Sequence, residues 1–265
     1  SENFIHEKKI LSNFNNVEIF CSGENLGYGR GNNFGLKLVK SSIALILNPD
    51  VVCDKDFFNN IVGIINNVSD FTIIGCQYSN DTPFMPAGFF NKKKNNEFVE
   101  NFKINKINSL SEVEWVTGCS MLLNLKEFEN RDIFDENFFL YFEEADLCRR
   151  IKIKGGNVFC SSKLLINHLG HKGSAATDPN YTIESEMFRN WHWMWSSFYY
   201  HKKYNNYFYA FFKMFGKFIK SMFKAIFFSL FYNKKKQTMY FARFYGLLYA
   251  FLGKRSSWRV KSLFK

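Results

Sequence analysis

The chain has 265 residues, 46% of them hydrophobic, with six cysteines and a formal net charge of +11. That size suits one large domain or a domain with an appendage. The cysteines, at 21, 53, 76, 119, 148 and 160 without a CxxC pair, argue for reduced thiols and against a zinc site or disulfide framework. The charge is unevenly spread: residues 187–265 carry 16 Lys and Arg and no acid, leaving 19 basic and all 24 acidic residues in 1–186. A mildly acidic body therefore carries a strongly basic tail, which points to a polyanionic partner, either nucleic acid or an anionic membrane face. No apolar stretch follows Ser1, and no secretory signal is expected.

In chain order, "VEIFC" (17–21) reads as a short strand. The Gly-rich "ENLGYGRGNNFGLKLVKSS" reads as a loop followed by a helix over 32–40. "IALILNPD" (43–50) is an apolar run ending in a polar tripeptide, as expected of a strand buried on both faces in a parallel sheet. Helical spacing marks 55–68, and "FTIIGC" (71–76) is a second buried strand. Residues 77–112 read as a polar surface excursion with a hairpin. Over 114–128 a strand re-enters the core and a helix starts. Residues 135–156 read as a loop entering a helix that Gly155-Gly156 stops. "NVFCS" (157–161) is a short strand, and 164–174 leaves the sheet as a loop. Strands alternating with helices predict an α/β layered domain.

The tail has another pattern. In 207–232, lysines at 213, 217, 220 and 224 share one helical face, and most other positions are Phe, Ile, Met, Leu or Tyr. Four lysines interrupt a span that would need about 20 apolar residues to cross a bilayer. A helix lying in the headgroup plane fits better. Residues 239–253 predict a second such helix, or one packed on the first.

Four segments carry candidate chemistry, and each has a plain structural alternative. Asn48-Pro49-Asp50 ends a strand, where a carboxylate faces the crevice in which α/β sheets bind ligands; the same tripeptide is a common turn. Asn25 to Gly35 offers glycines for close backbone approach and a helix N-terminus for anions, or simply a loop. Glu143 and Glu144 suit a general base, or acids favoured by a helix dipole. His168 suits a metal or phosphate contact, or plain exposure in a loop, with His171 three residues on.

The order of these segments carries more than any one of them. "NLGYGRGNNFG", "LILNPDV", "TGCSMLL", "FFLYFEEADLCRR" and "INHLGHKGS" together resemble family 2 glycosyltransferases of the GT-A fold, nearest the rhamnosyltransferase-like branch of bacterial surface polysaccharide synthesis. The resemblance covers about residues 17–175. It implies an α/β GT-A (Rossmann-like) mixed sheet flanked by helices, with N-terminal strands missing from this chain, plus C-terminal amphipathic helices. It divides the chain into an N-terminally incomplete catalytic domain, 1–186, and a basic, aromatic-rich, membrane-associating helical region, 187–265. The implied activity is inverting transfer of rhamnose or another hexose from a nucleotide-sugar donor to a lipid-linked or polysaccharide acceptor.

The resemblance also distributes roles. Glu144 is the expected base, with Glu143 as the alternative. Asn25, Gly27, Tyr28, Asn32, Asn33, Asn48, Asp50 and Arg150 fall on the donor side, and Trp115, Thr117, Gly118 and Asp146 on the acceptor side. Asp50 and His168 would hold Mg²⁺ or Mn²⁺. Phe139 and Tyr141 would keep water out. The implied location is peripheral, on the cytoplasmic face of the plasma membrane, with an anionic membrane surface and no nucleic acid as partner. Two competing readings are single-stranded nucleic-acid binding by the tail, against which the lysines line one side of an apolar helix, and a non-catalytic transferase-like scaffold.

Overall fold

The structure, a computed structural model, describes residues 13–68, 70–79, 86–91, 97–99, 110–169 and 179–258. It divides into two compact units, one of Asn32–Glu136 with Phe142–Asp178, the other of Ser1–Gly31, Asn137–Tyr141 and Pro179–Lys265.

The first unit is built on a sheet. Strands β1 (Ile43–Leu47), β2 (Val51–Cys53), β3 (Ile73–Tyr78), β8 (Ser120–Asn124) and β9 (Val158–His168) lie in the order β1-β8-β3-β9-β2, with β6 (Leu110–Glu112) also paired to β9. The β3–β9 pair is parallel and the other pairs are antiparallel, so the sheet is mixed. Helix α2 (Phe57–Asn67) buries Phe57, Ile61 and Ile64, spaced to share one face, against Ile74, Cys76, Leu122, Leu164 and Ile166. Each such side chain contributes roughly 1.5–3 kcal/mol by leaving water. A Cβ at Gly75 would strike the Val116 side chain, so glycine there lets β7 (Trp115–Val116) close over β3. β4 (Ala87–Asn91) bridges β5 (Glu97–Val99) and β7 in a small second sheet, which places a hairpin inside the expected surface excursion. Helix α3 (Glu143–Ile153) ends before Gly155, whose φ of +82° suits the stop. An α/β unit with a mixed sheet flanked by helices is the expected class.

Four local expectations need correction. Residues 17–21 form no strand; Val17 and Phe20 are exposed, and β-branched residues alone do not make a strand without a partner to pair with. Helix α1 runs over Tyr28–Leu36, earlier than 32–40. Gly27 takes a left-handed φ of +77° while the Asn25 side chain accepts its N–H, and the helix starts directly after that turn. β1 pairs antiparallel with β8 and is buried at alternate residues rather than on both faces. β9 extends to His168, so Leu164–His168 stay in the sheet, paired with β2 and the end of β3. His171 lies outside the described residues.

The second unit is helical: α4 (Pro179–Tyr204), α5 (Tyr207–Leu230) and α6 (Lys234–Phe251). Its core joins Trp191, Trp195, Phe198, Met214, Leu247 and Ala250. Asn206 and Asn233 cap α5 and α6 by accepting the N–H groups of Tyr209 and Lys236. Buried His192 ties α4 to the segment after α6, with Nδ1 2.9 Å from Ser256 Oγ and Nε2 3.0 Å from the Trp258 carbonyl. The two expected tail helices are present, and 26-residue α4 is an element the sequence reading did not single out. Among the described residues, no helix is long and apolar enough to cross a membrane.

Candidate active site

One edge of the main sheet gathers most of the chemistry. Asp50 follows the C-terminal end of β1, while Tyr78 and His168 end β3 and β9. Because β8 runs antiparallel to β1 and β3, its N-terminal end, with Thr117 and Cys119 just before it, lies at the same edge. This is the edge at which α/β sheets present ligand-binding side chains.

Asn48-Pro49-Asp50 is both the turn and the site. Val51 N–H bonds the Asn48 carbonyl at 3.2 Å, closing the turn, and Asn48 N–H bonds the Cys119 carbonyl at 2.9 Å. Val51 pairs with His168 in the β2–β9 ladder, and Leu169 N–H bonds the Asp50 carbonyl at 2.9 Å. The turn thereby sets Asp50 Oδ2 3.3 Å from His168 Nε2, both side chains about four-fifths buried. His168 stacks on Tyr78, with ring centroids 6.2 Å apart and planes 10° from parallel.

Glu144 joins the cluster from the N-terminal turn of α3. Burial pushes its carboxyl pKa above the usual range, while the backbone N–H groups of Glu144 and Ala145 pull it back. The Cys119 thiol is raised first by burial and then by the charges of Asp50 and Glu144, so both carboxylates act on one sulfur. The Tyr78 hydroxyl lies 3.6 Å from Cys119 Sγ and also bonds Thr117. Burial raises the phenol well above its usual pKa, with Glu144 adding a smaller push. The phenol is therefore neutral at any working pH. Just before α3, Tyr141 and Phe142 take consecutive φ values of +71° and +72°. Non-glycine residues there cost of order 1–3 kcal/mol each, and such strain is concentrated at functional segments.

The remaining sequence-selected residues divide into three groups. Thr117 and half-buried Trp115 flank buried Val116, with Thr117 N–H on the Pro86 carbonyl at 2.8 Å and buried Gly118 following. Asn33 is fully buried and spent on structure: its Oδ1 accepts Phe134 N–H at 2.9 Å, and its Nδ2 donates to the Phe134 carbonyl and Glu136. Half-buried Asn32 precedes it. Buried Asp146 accepts from Arg150 Nε at 2.8 Å, while Arg150 Nη2 donates to the Ile133 carbonyl at 2.6 Å, a brace between α3 and the preceding loop. Glu143 is buried beside Glu144. Asn25, Gly27 and Tyr28 belong to the other unit, where Tyr28 N–H bonds the Phe139 carbonyl at 3.0 Å. There too, Phe139 packs on Phe188 and His192, and Tyr141 on Trp193.

Sequence reasoning missed Tyr78 and Cys119 as members of the cluster. Tyr78 ends a recognisable strand, but its partners come from register, including a shift between Cys76 and Gln77, that no local pattern shows. Asp50 and His168 offer an oxygen and an imidazole donor, a pair suited to Mg²⁺ or Mn²⁺ with water and substrate oxygens completing the sphere. Among the described residues, no group of three or more His, Cys, Asp or Glu side chains could hold a metal ion. All six cysteines are free, and burial holds the Cys148 and Cys160 thiols up to about 12.

No protein-family model matches the chain. It is 25% identical over 202 residues to the rhamnosyltransferase WbbL of Escherichia coli (strain K12), covering 70% of this chain and 74% of that protein. It is also 25% identical over 160 residues to the low-salt glycan biosynthesis hexosyltransferase Agl10 of Haloferax volcanii, covering 54% of this chain and about half (48%) of Agl10. The likeness to glycosyltransferases carried by the sequence motifs is thus borne out by two relatives, one a rhamnosyltransferase and the other a hexosyltransferase.

Proposed function

We propose that the chain is an inverting glycosyltransferase of the family 2, GT-A type. It transfers rhamnose or another hexose from a nucleotide-sugar donor to a lipid-linked or polysaccharide acceptor in cell-envelope glycan synthesis. The observation that carries this is that Asp50, paired with His168 at 3.3 Å, and Glu144 both act on the one thiol of Cys119 at the sheet edge. Two acids distant in sequence then serve one reaction centre. Glu144 takes the proton from the acceptor hydroxyl onto its carboxylate as that oxygen attacks the anomeric carbon. A carboxyl held above the usual range is a better base near neutral pH than an ordinary one. Asp50 and His168 would hold a divalent cation, which would supply positive charge against the leaving nucleoside diphosphate. Thr117, Gly118 and Trp115 line the acceptor side, and Asn48 the donor side. Asn32 remains a donor-side assignment, whereas Asn33, Asp146 and Arg150 serve the site by bracing it. Residues 1–186 form the catalytic portion, and 187–265 place it on the cytoplasmic membrane face beside a lipid-linked acceptor.

A panel of nucleotide sugars, with release of nucleoside diphosphate to water as readout, tests the chemistry. One donor is expected to be consumed, with Mg²⁺ or Mn²⁺ required and with Asp50→Ala and Glu144→Gln both inactive. Undiminished turnover in both variants would remove the mechanism.

A further inference from the structure

We infer that the exposed row along α5, continued through the α5–α6 turn, docks on an anionic lipid bilayer. This deepens the peripheral-membrane part of the proposed function and is independent of its chemistry.

Helix α5 has three faces. Ala210, Met214 and Ser221 are buried within the helical unit. Lys213, Lys217, Lys220 and Lys224 form a second row, roughly 70° away. The third row is Phe208, Phe212, Phe215, Phe223, Ile226 and Leu230, at separations of 4, 3, 8, 3 and 4 that keep it on one side of the helix. Phe212 is 73% exposed, Phe223 61% and Leu230 71%. A helix of 24 residues carries this row over about 36 Å. The row does not stop with the helix: Phe231 is 66% exposed and Tyr232, in a left-handed turn, 95% exposed. Scattered apolar residues on a surface need no explanation, but a contiguous row of this length marks an interaction site.

Charge identifies the occupant. No Asp or Glu occurs in 187–265, and Lys234, Lys235 and Lys236 follow the exposed turn directly. Lys235 lies 3.2 Å from Glu186, and Lys236 sits over the Phe228 ring. An apolar row edged by cations on a helix too interrupted to span fits a bilayer with anionic headgroups: aromatics enter the acyl boundary and lysines stay among the phosphates.

Flotation of the full chain with vesicles of phosphatidylglycerol in phosphatidylcholine, against phosphatidylcholine alone, tests this. Binding to the anionic vesicles that weakens with salt is expected. Phe212→Asp with Phe223→Asp lowers partitioning roughly a hundredfold or more, since each phenylalanine loses most of its transfer free energy. Lys220, Lys234 and Lys236→Gln together lower it roughly a hundredfold on anionic vesicles, about fivefold per lysine, with no change on neutral ones. Phe58→Asp, an exposed phenylalanine of the sheet unit, leaves binding unchanged. All variants should keep the wild-type melting temperature, because the substituted positions are exposed. Wild-type binding by the phenylalanine double variant overturns the assignment of this face while leaving membrane association intact. A wild type that binds neither vesicle overturns both, and leaves the nucleotide-sugar result to stand by itself. Self-association in sedimentation that the double variant abolishes, without vesicle binding, makes a second copy the occupant and overturns the inference.

Discussion

The sheet unit hides polar groups, and the helical unit displays aromatic ones. Asn33, Glu143, Asp146 and Ser161 are buried in the first, whereas Phe208, Phe212, Phe223 and Tyr232 stand exposed in the second. Each departs from the usual rule in the direction that costs stability: buried polar atoms must be matched, and exposed apolar area forgoes its transfer free energy. In the sheet unit the matching is visible, because Asn33 and Asp146 find backbone or side-chain partners. In the helical unit, among the described residues, the α5 row stays exposed. One unit thus organises chemistry inward and the other organises contact outward.

The largest effects should come from the carboxylates at the sheet edge. Glu144→Gln is isosteric and is expected to lower turnover by about 10²–10⁴-fold, the usual range for a positioned general base, with little loss of stability. Asp50→Ala should be comparably damaging and should also raise the divalent-cation concentration needed for half-maximal activity. Equal loss of folding and activity in these variants would turn the polar interior of the sheet unit into a structural feature only.

Next come the braces. Asp146→Ala leaves Arg150 without its carboxylate and opens a fully buried position. Because the Arg150 side chain is 34% exposed, the cost should fall below that of a wholly buried pair, at about 2 kcal/mol in urea denaturation. Asn33→Ala removes the side chain that bonds the Phe134 N–H and carbonyl and should cost a similar amount, about 1–3 kcal/mol.

The site was legible where its signals are local. Asn48-Pro49-Asp50 and Glu143-Glu144 each announce a strand end or a helix start within a few residues, and Asp50 and Glu144 both act on the Cys119 thiol. Asn33 and Arg150 could be seen as polar residues near a motif, but not as already bonded to Phe134 and Ile133, since those contacts span long stretches of chain. Tyr78 and Cys119 depend on strand order and a register shift, which no local periodicity encodes. The strand expected over 17–21 failed for the same reason in reverse: its residues favour an extended chain, but a ladder needs a neighbour. In the helical unit the 3.6-residue period exposed the lysine row of α5 directly, whereas which apolar side faces outward required knowing where α4 and α6 pack.

The raised carboxyl of Glu144 makes a pH signature. Its ordinary value is 4.5, and the folded value lies higher. Turnover should therefore rise on an acid limb whose midpoint lies above 4.5, as the carboxylate forms. The stability effect has the opposite sense. The folded state holds this proton more tightly than the unfolded state, so the contribution is complete below pH 4.5. It declines as pH rises through the folded value. Glu144→Gln should flatten that decline in urea midpoints measured against pH. An unchanged slope would mean that burial does not govern this group.

The smallest effect asks whether Tyr78 belongs to the reaction centre or only to its wall. Tyr78→Phe keeps the ring against His168 and removes a hydroxyl whose partners are a Cys119 thiol at 3.6 Å and Thr117. Sulfur is a weak acceptor, so the bond adds little to folding, and the cost in stability should stay below about 1 kcal/mol. Turnover should fall by roughly threefold, the worth of one modest hydrogen bond beside the base. Tyr78→Leu also removes the stacked ring. If that ring holds the imidazole for a cation, Mn²⁺ binding, read by electron paramagnetic resonance without any sugar nucleotide, should weaken by about tenfold or more in the leucine variant and stay unchanged in the phenylalanine one. Equal Mn²⁺ binding in both variants would assign Tyr78 to packing, because only a positioning role separates the ring from the hydroxyl.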